Sequence, residues 1–244
     1  MKALVCISNV PDTTTKITFT DNNTQFNTNG VQFILNPYDE IALARAIELT
    51  EGNGSVTVVN VGEANTEPTI RKALAIGATD AVRINAKPHD AWFVAYQIAE
   101  YIKANPFDLI LTGRESIDYN GSKVAGMLGE LLDIPSVSII KKLEVNGNEA
   151  TVEREIEGGK EILTTPLPFV AGTAEGVAEP KIPNMRGIMS ARTKPLSVIE
   201  PVEVKTFSEI IGYETPAPRG QVKLVPASDP AKLVELLHAE ARVI

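Results

Sequence analysis

The sequence is poor in the residues that do chemistry. Its 244 residues hold one cysteine, Cys6, and two histidines, His89 and His238. One cysteine excludes an internal disulfide framework and suits a reducing compartment, so the cytoplasm is the expected location. Cys6 itself reads as a small buried strand residue. A metal site needs more His, Cys or clustered carboxylates than this. Both histidines lack a triad or ligand partner and read as surface residues. No GxxxxGK[ST] loop occurs, which excludes a P-loop nucleotidase. No GxGxxG follows the first strand, and there is no GxSxG elbow. No apolar run reaches the length of a membrane span, so direct membrane insertion is not expected. The net charge of −8 argues against a nucleic-acid partner. The opening MKALVCISNVPD is too short for a signal peptide and reads as a first buried strand.

What is present is alternation. Strand signals at Ala3–Ser8, Val31–Leu35, Ser55–Val61, Ala81–Ile84 and Asp108–Thr112 are interleaved with helical patterns. The helices are expected at Tyr38–Thr50, Thr66–Ile76, Asp90–Ala104 and Asn120–Leu132, with Gly52 and Gly77 as stops. Such alternation predicts an α/β fold, a doubly wound, mainly parallel sheet with helices on both faces. Ligands then lie beyond the carboxyl ends of the strands. The loops Cys6–Asp12, Asn36–Asp39, Val61–Asn65 and Gly113–Val124 line one crevice on this reading.

The richest stretch is FDLILTGRESIDYNGSKVAGMLGELL, residues 107–132. An apolar strand runs into a polar turn and then a helix start. The first turn of a helix has unpartnered N–H groups and a dipole that favours an anion. Arg114, Glu115, Ser116, Asp118 and Asn120 can bond a sugar or base. The stretch therefore reads as a nucleotide site, although an ordinary strand-to-helix connection has the same outline.

After Ile140 the pattern changes. Lys142–Val145 and Ala150–Ile156 flank an Asn-Gly-Asn turn and make a hairpin, and Lys160–Thr165 adds a third strand. Phe169–Gly172 is a buried run. Residues 174–196 form an exposed loop with a short helix near Arg186–Arg192. Its basic residues Lys181, Arg186, Arg192 and Lys194 are either solvated or a docking surface, with Met185 and Met189 among them. From Leu196 to Pro226 the chain is Pro-rich and extended, as an arm laid over a partner. Ser228-Asp229-Pro230 caps a last helix. Residues 1–195 are thus expected as the nucleotide-binding domain with its hairpins and recognition loop. Residues 196–244 are expected as an arm and helix.

Five stretches together resemble the beta subunits of the electron transfer flavoproteins. They are VEREIEGGKEILTTPLPFVAGT, ALVCISNVPD, LNPYDEIALARAIEL, TIRKALAIGATDAVRI and GRESIDYNGSKVAGMLGELLDIP. The run EPKIPNMRGIMSAR also resembles the segment by which the family recognises dehydrogenases. The resemblance implies a Rossmann-like fold of the adenine nucleotide alpha hydrolase-like type, with a β-hairpin region and an extended C-terminal arm. It implies a heterodimer with an alpha subunit that holds most of the FAD, while this chain binds AMP structurally. It implies an electron carrier, not an enzyme. Electrons would pass from flavin dehydrogenases, such as acyl-CoA dehydrogenases, to a membrane electron transfer flavoprotein–quinone oxidoreductase, in support of fatty acid oxidation. By the same resemblance the AMP contacts are Cys6, Asn36, Pro37, Tyr38, Asp39 and Val61. The loop adds Gly113, Arg114, Glu115, Ser116, Ile117, Asp118, Tyr119, Asn120, Gly121, Ser122, Lys123 and Val124. Partner recognition falls to Asn184, Met185, Arg186, Ile188 and Met189, with Met185 as the apolar anchor. The resemblance places the chain in a bacterial cytoplasm, or in the mitochondrial matrix if the source is eukaryotic.

Departures from the family pattern are Lys123 in place of the usual Gln, Ser8-Asn9 where many members carry a basic residue, and Thr13 where many simple carriers have Tyr. NVPD and NPYD keep a second reading open, a bifurcating subunit with a second FAD in the AMP crevice. A stand-alone adenine-nucleotide protein of the stress type explains the first half but not the arm. An ATP-using ligase of the related fold needs an SGGxDS-type loop, which is missing.

Overall fold

The computed structural model describes residues 1–244. The chain opens with β1 (Lys2–Cys6), followed by the short strands β2 (Asn9–Pro11), β3 (Phe19–Thr20), β4 (Gln25–Phe26) and β5 (Phe33–Leu35). Next come α1 (Pro37–Thr50), β6 (Ser55–Val61), α2 (Glu67–Ile76), β7 (Asp80–Ile84), α3 (Ala91–Ala104), β8 (Leu109–Gly113) and α4 (Val124–Leu132). Three strands form a meander, β9 (Ser136–Asn146), β10 (Glu149–Ile156) and β11 (Gly159–Pro166). Then follow β12 (Phe169–Thr173), α5 (Met185–Ala191), β13 (Leu196–Ile199) and α6 (Pro230–Leu236).

Nine strands share one sheet in the order β11-β10-β9-β12-β8-β1-β6-β7-β13. All pairings from β9 across to β13 are parallel, and only the β9-β10-β11 meander is antiparallel. The strand period of two explains the core. Ala3 and Val5 face the side of α1 and α2, where Leu43, Ile70 and Leu74 bury against them. Leu4 and Cys6 face the side of α3 and α4, where Ile98, Ile102 and Leu128 do the same. Both faces are covered, so the central strands read as unbroken apolar runs. This is the doubly wound α/β fold that the alternation predicts.

Three boundaries differ from expectation. The Val31–Leu35 segment is not a strand of the main sheet. Only Phe33–Leu35 is extended, and it pairs antiparallel with β2. With Gly30 before it and Pro37 after it, the run is too short to cross the sheet. Helix α4 begins at Val124 and not at Asn120, because Asn120 and Ser122 hold left-handed φ values of 49° each. Finally, the first residues of the arm belong to the sheet, since β13 pairs in parallel with β7 at its edge.

Candidate functional site

The path of the chain creates the site. From β1 the sheet grows through β6 and β7 on one side, and then β8 returns to the other side of β1. The switch point therefore lies between the carboxyl ends of β1 and β8, where α/β sheets open a crevice.

Helix α1 closes the back of that crevice. Asn36-Pro37 starts it, with Pro tolerated in the first turn because no N–H is needed there. Asn36 is fully buried yet makes no side-chain cap to its own helix. Its amide reaches across instead. Nδ2 donates to the Glu115 carbonyl at 2.9 Å, and Oδ1 accepts from the Ile117 N–H at 3.3 Å. Asp39, also buried, joins the two strand ends. One carboxylate oxygen accepts from the Ser8 N–H at 2.7 Å and the other from the Gly113 N–H at 2.9 Å. Burial pushes the Asp39 carboxyl up to about 7 against the pull of these hydrogen bonds. Gly113 must be glycine, because a Cβ there would lie 2.4 Å from Asp39 Oδ1 and 2.7 Å from Tyr38 Cβ. Burial, then the charge of Asp39, raises the Cys6 thiol far above its ordinary range, so this sulfur is an inert wall group.

The loop from Arg114 to Lys123 is held at several points. The Arg114 N–H donates to the Thr173 carbonyl at 2.8 Å, and its guanidinium lies 5.5 Å over the Tyr38 ring. Burial and the nearby Glu175 raise the Tyr38 phenol. The Asn120 N–H donates to the Ser116 carbonyl, and Ser122 Oγ donates to Glu115 at 3.0 Å. The loop then enters α4, which has neither a side-chain cap nor a proline in its first turn. Every other α-helix has one or the other: Pro in α1 and α2, Asp90 on α3, Asn184 on α5, and both Pro230 and Asp229 on α6. The orphan N–H groups of α4 face the loop with no side chain to take them.

The structure brings together the expected crevice residues. Cys6, Val61 and Gly113 end the three neighbouring strands β1, β6 and β8, and Asn36–Asp39 and the 113–124 loop frame them. Asn36 and Asp39 have their side chains engaged with the loop, so they shape the crevice. The sequence reading placed Ser8 only within a crevice loop, and it missed Thr173 and Glu175, whose roles rest on long-range contacts that no local motif signals. It also missed Tyr213 of the arm, whose N–H donates to the Asn23 carbonyl at 2.7 Å and whose ring stacks on Phe19 with ring centroids 4.8 Å apart.

A second feature lies on the connection after β12. Ile182 is 92% exposed, more than any other large apolar side chain of the chain, and Met185 and Met189 are 73% and 68% exposed. Asn184 accepts from the Gly187 N–H at 2.8 Å and so caps α5. Of the expected docking residues, Asn184 is thus engaged locally, while the methionines point outward. The signal that marks Ile182 is an isolated branched apolar residue beside Pro183 in a polar loop. Lys194, grouped above with the loop cations, is not a solvated one. Its ammonium donates to the carbonyls of Leu74 and Ala78 at 2.8 and 2.5 Å.

A family model described as the electron transfer flavoprotein domain matches residues 23–204. The chain is 37% identical to the electron transfer flavoprotein subunit beta of Bacillus subtilis (strain 168), over the full length of both chains. The Homo sapiens protein of the same name is 32% identical, covering 97% of this chain and 98% of its own. The mitochondrial protein of that name from Oryza sativa subsp. japonica is 30% identical over the whole of both chains. The chain belongs to the electron transfer flavoprotein beta subunit family. It is therefore a subunit of a flavin-associated electron transport system. No helix is long and apolar enough to cross a membrane.

Proposed function

We infer that this beta subunit binds AMP in the crevice at the β1–β8 switch point and serves as an electron carrier, not an enzyme, in a heterodimer with an alpha subunit. The observation that carries the reading is the uncapped start of α4 beside a glycine-narrowed strand end. A phosphate there takes the orphan N–H groups of Val124 and its neighbours, and the positive helix end favours its charge. The left-handed backbone at Asn120 and Ser122 is the kind of turn that directs successive N–H groups into a concavity. Lys123 adds a cation at the same place. Asp118 and Asn120 supply polar groups for a ribose, and Cys6, Val61 and Tyr38 supply apolar wall. The residues present fit an adenylate.

FAD belongs mainly to the alpha subunit and supplies the redox chemistry when bound. This chain contributes shelter and contact. Its arm beyond Ile199 leaves Ile211, Val222 and Leu224 largely exposed, 89%, 75% and 87%, which suits an alpha-subunit interface. The exposed Ile182, Met185 and Met189 dock flavin dehydrogenases such as acyl-CoA dehydrogenases, and a membrane quinone oxidoreductase receives the electrons. The cellular setting is the bacterial cytoplasm, or the mitochondrial matrix for a eukaryotic source.

The test is coexpression with the alpha subunit and a visible spectrum. A yellow heterodimer with one FAD, reduced by an acyl-CoA dehydrogenase and its acyl-CoA, is expected. A colourless pair, or no pair, contradicts the reading.

A further inference from the structure

Helix α5 has little of its own to hold it. It is seven residues long, and only Ala191 of it is buried. So short a helix is marginal without tertiary support. The support comes from α2, through three contacts that no local pattern announces. First, the α5 backbone lies directly on α2, since a Cβ on Gly187 would come 2.3 Å from the Ala75 carbonyl oxygen. Second, Arg71 on α2 sends one guanidinium nitrogen to two carbonyls, that of Ala191 at the end of α5 and that of Lys194 just past it, each at 2.8 Å. Third, the side chain of Lys194 returns to the end of α2 and bonds the Leu74 carbonyl in its last turn and the Ala78 carbonyl just beyond it. Helix α2 has no basic residue in its own last turn, so Lys194 supplies the cation that its negative end favours. Burial lowers the Lys194 pKa, as befits an ammonium drawn out of water. The result is a reciprocal clamp, with Arg71 holding the α5 side and Lys194 holding the α2 side.

We propose that Arg71 and Lys194 are positioning residues for partner binding: their crossed hydrogen bonds fix α5 and the exposed Ile182 in one orientation, so that a dehydrogenase meets a preorganised surface. The proposal rests on the reading of residues 182–189 as the docking segment. A segment already ordered loses less conformational freedom on binding than a loose one. Both side chains direct their hydrogen bonds into the α2–α5 contact, and none goes to a crevice residue. Their loss acts on encounter alone.

The test uses the assembled heterodimer with its alpha subunit, reduced by the acyl-CoA dehydrogenase that serves the native pair. Arg71→Met and Lys194→Met are each expected to raise the KM for the heterodimer about fivefold, with kcat, FAD content and AMP content unchanged. The double variant raises KM by less than the product of the two, because both act on one clamp. Lys194→Arg, which keeps donors for both carbonyls, restores most of the loss. Gly187→Ala, which forces α5 off α2 without removing a charge, raises KM as the clamp variants do. Ile182→Asp separates the two ideas. If it raises KM while Arg71→Met and Lys194→Met do not, the clamp is overturned and the docking segment stands. If Ile182→Asp leaves KM unchanged, the docking reading fails and the clamp loses its role with it.

Discussion

Two irregular connections leave neighbouring parallel strands, β8 and β12, and each ends in a short helix. They are built in opposite ways. The β8–α4 loop is gripped from behind by Asn36 and Asp39, two buried side chains from another element, and it delivers a helix whose first N–H groups have no side-chain partner. The β12–α5 connection delivers a helix that is already capped, by Asn184, and turns its large apolar side chains outward. An open helix start surrounded by polar loop atoms is suited to an anion. A closed helix start with exposed Ile182, Met185 and Met189 is suited to a protein surface. On the proposed function, the contrast gives the small ligand to one connection and the macromolecule to the other.

The strongest way to break the contrast is Asp39→Ala. It leaves the Ser8 and Gly113 N–H groups buried without acceptors, at a cost of about 3 kcal/mol. Urea denaturation of the purified protein checks this, and a loss under 1 kcal/mol would mean the carboxylate does not organise the crevice. Next come Asn120→Trp and Ser122→Trp, which place bulk where the backbone is left-handed and the loop faces α4. Bound AMP should fall about tenfold or more, roughly 1.4 kcal/mol, as read by chromatography of the acid-released nucleotide. Ile182→Asp works on the other connection. It should raise the dehydrogenase KM about tenfold, again roughly 1.4 kcal/mol, with AMP and FAD retained. Loss of AMP in that variant would erase the division of labour.

A pH series sharpens the contrast further. The folded pKa of Asp39, about 7, lies above its ordinary value of 3.8. The carboxyl therefore binds its proton more tightly folded than unfolded. Its contribution to stability is complete below about pH 4 and declines up to about pH 7, by at most about 1.4 kcal/mol per pH unit, and is flat above that. Asp39→Asn should flatten this slope in denaturation midpoints measured from pH 5 to 8. The smallest effect is expected at Phe207→Ala on the arm. Phe207 makes an edge contact with Trp92 at 5.7 Å but is 68% exposed, so the cost is about 0.5–1 kcal/mol.

Much of the fold was legible in the residues. Unbroken apolar runs such as Ala3–Cys6 and Leu109–Leu111 require cover on both faces, and the helical stripes between them supply it. Asp90, Asp229, Gly77 and the Asn146-Gly147 turn mark boundaries that the structure keeps. The errors fall where a side chain acts at a distance or the backbone takes an uncommon turn. Nothing local to Asn36-Pro37 shows that the Asn36 amide serves a loop some eighty residues on. Lys194 looks like one more surface cation, and only the packing of α5 on α2 turns it inward. Asn120 and Ser122 belong to a helical pattern by composition, and their positive φ removes them from the helix. Leu196–Ile199 reads as the root of an arm because sheet edges carry no signal of their own.

The claim that most depends on all of this is that the open end of α4 is the seat of a nucleotide. Acid release and chromatography of the heterodimer, with Asn120→Trp beside it, tests that claim most directly. The account predicts one AMP and one FAD per native pair, and FAD alone in the variant. Two flavins and no AMP in the native pair, or AMP undiminished in the variant, would contradict it.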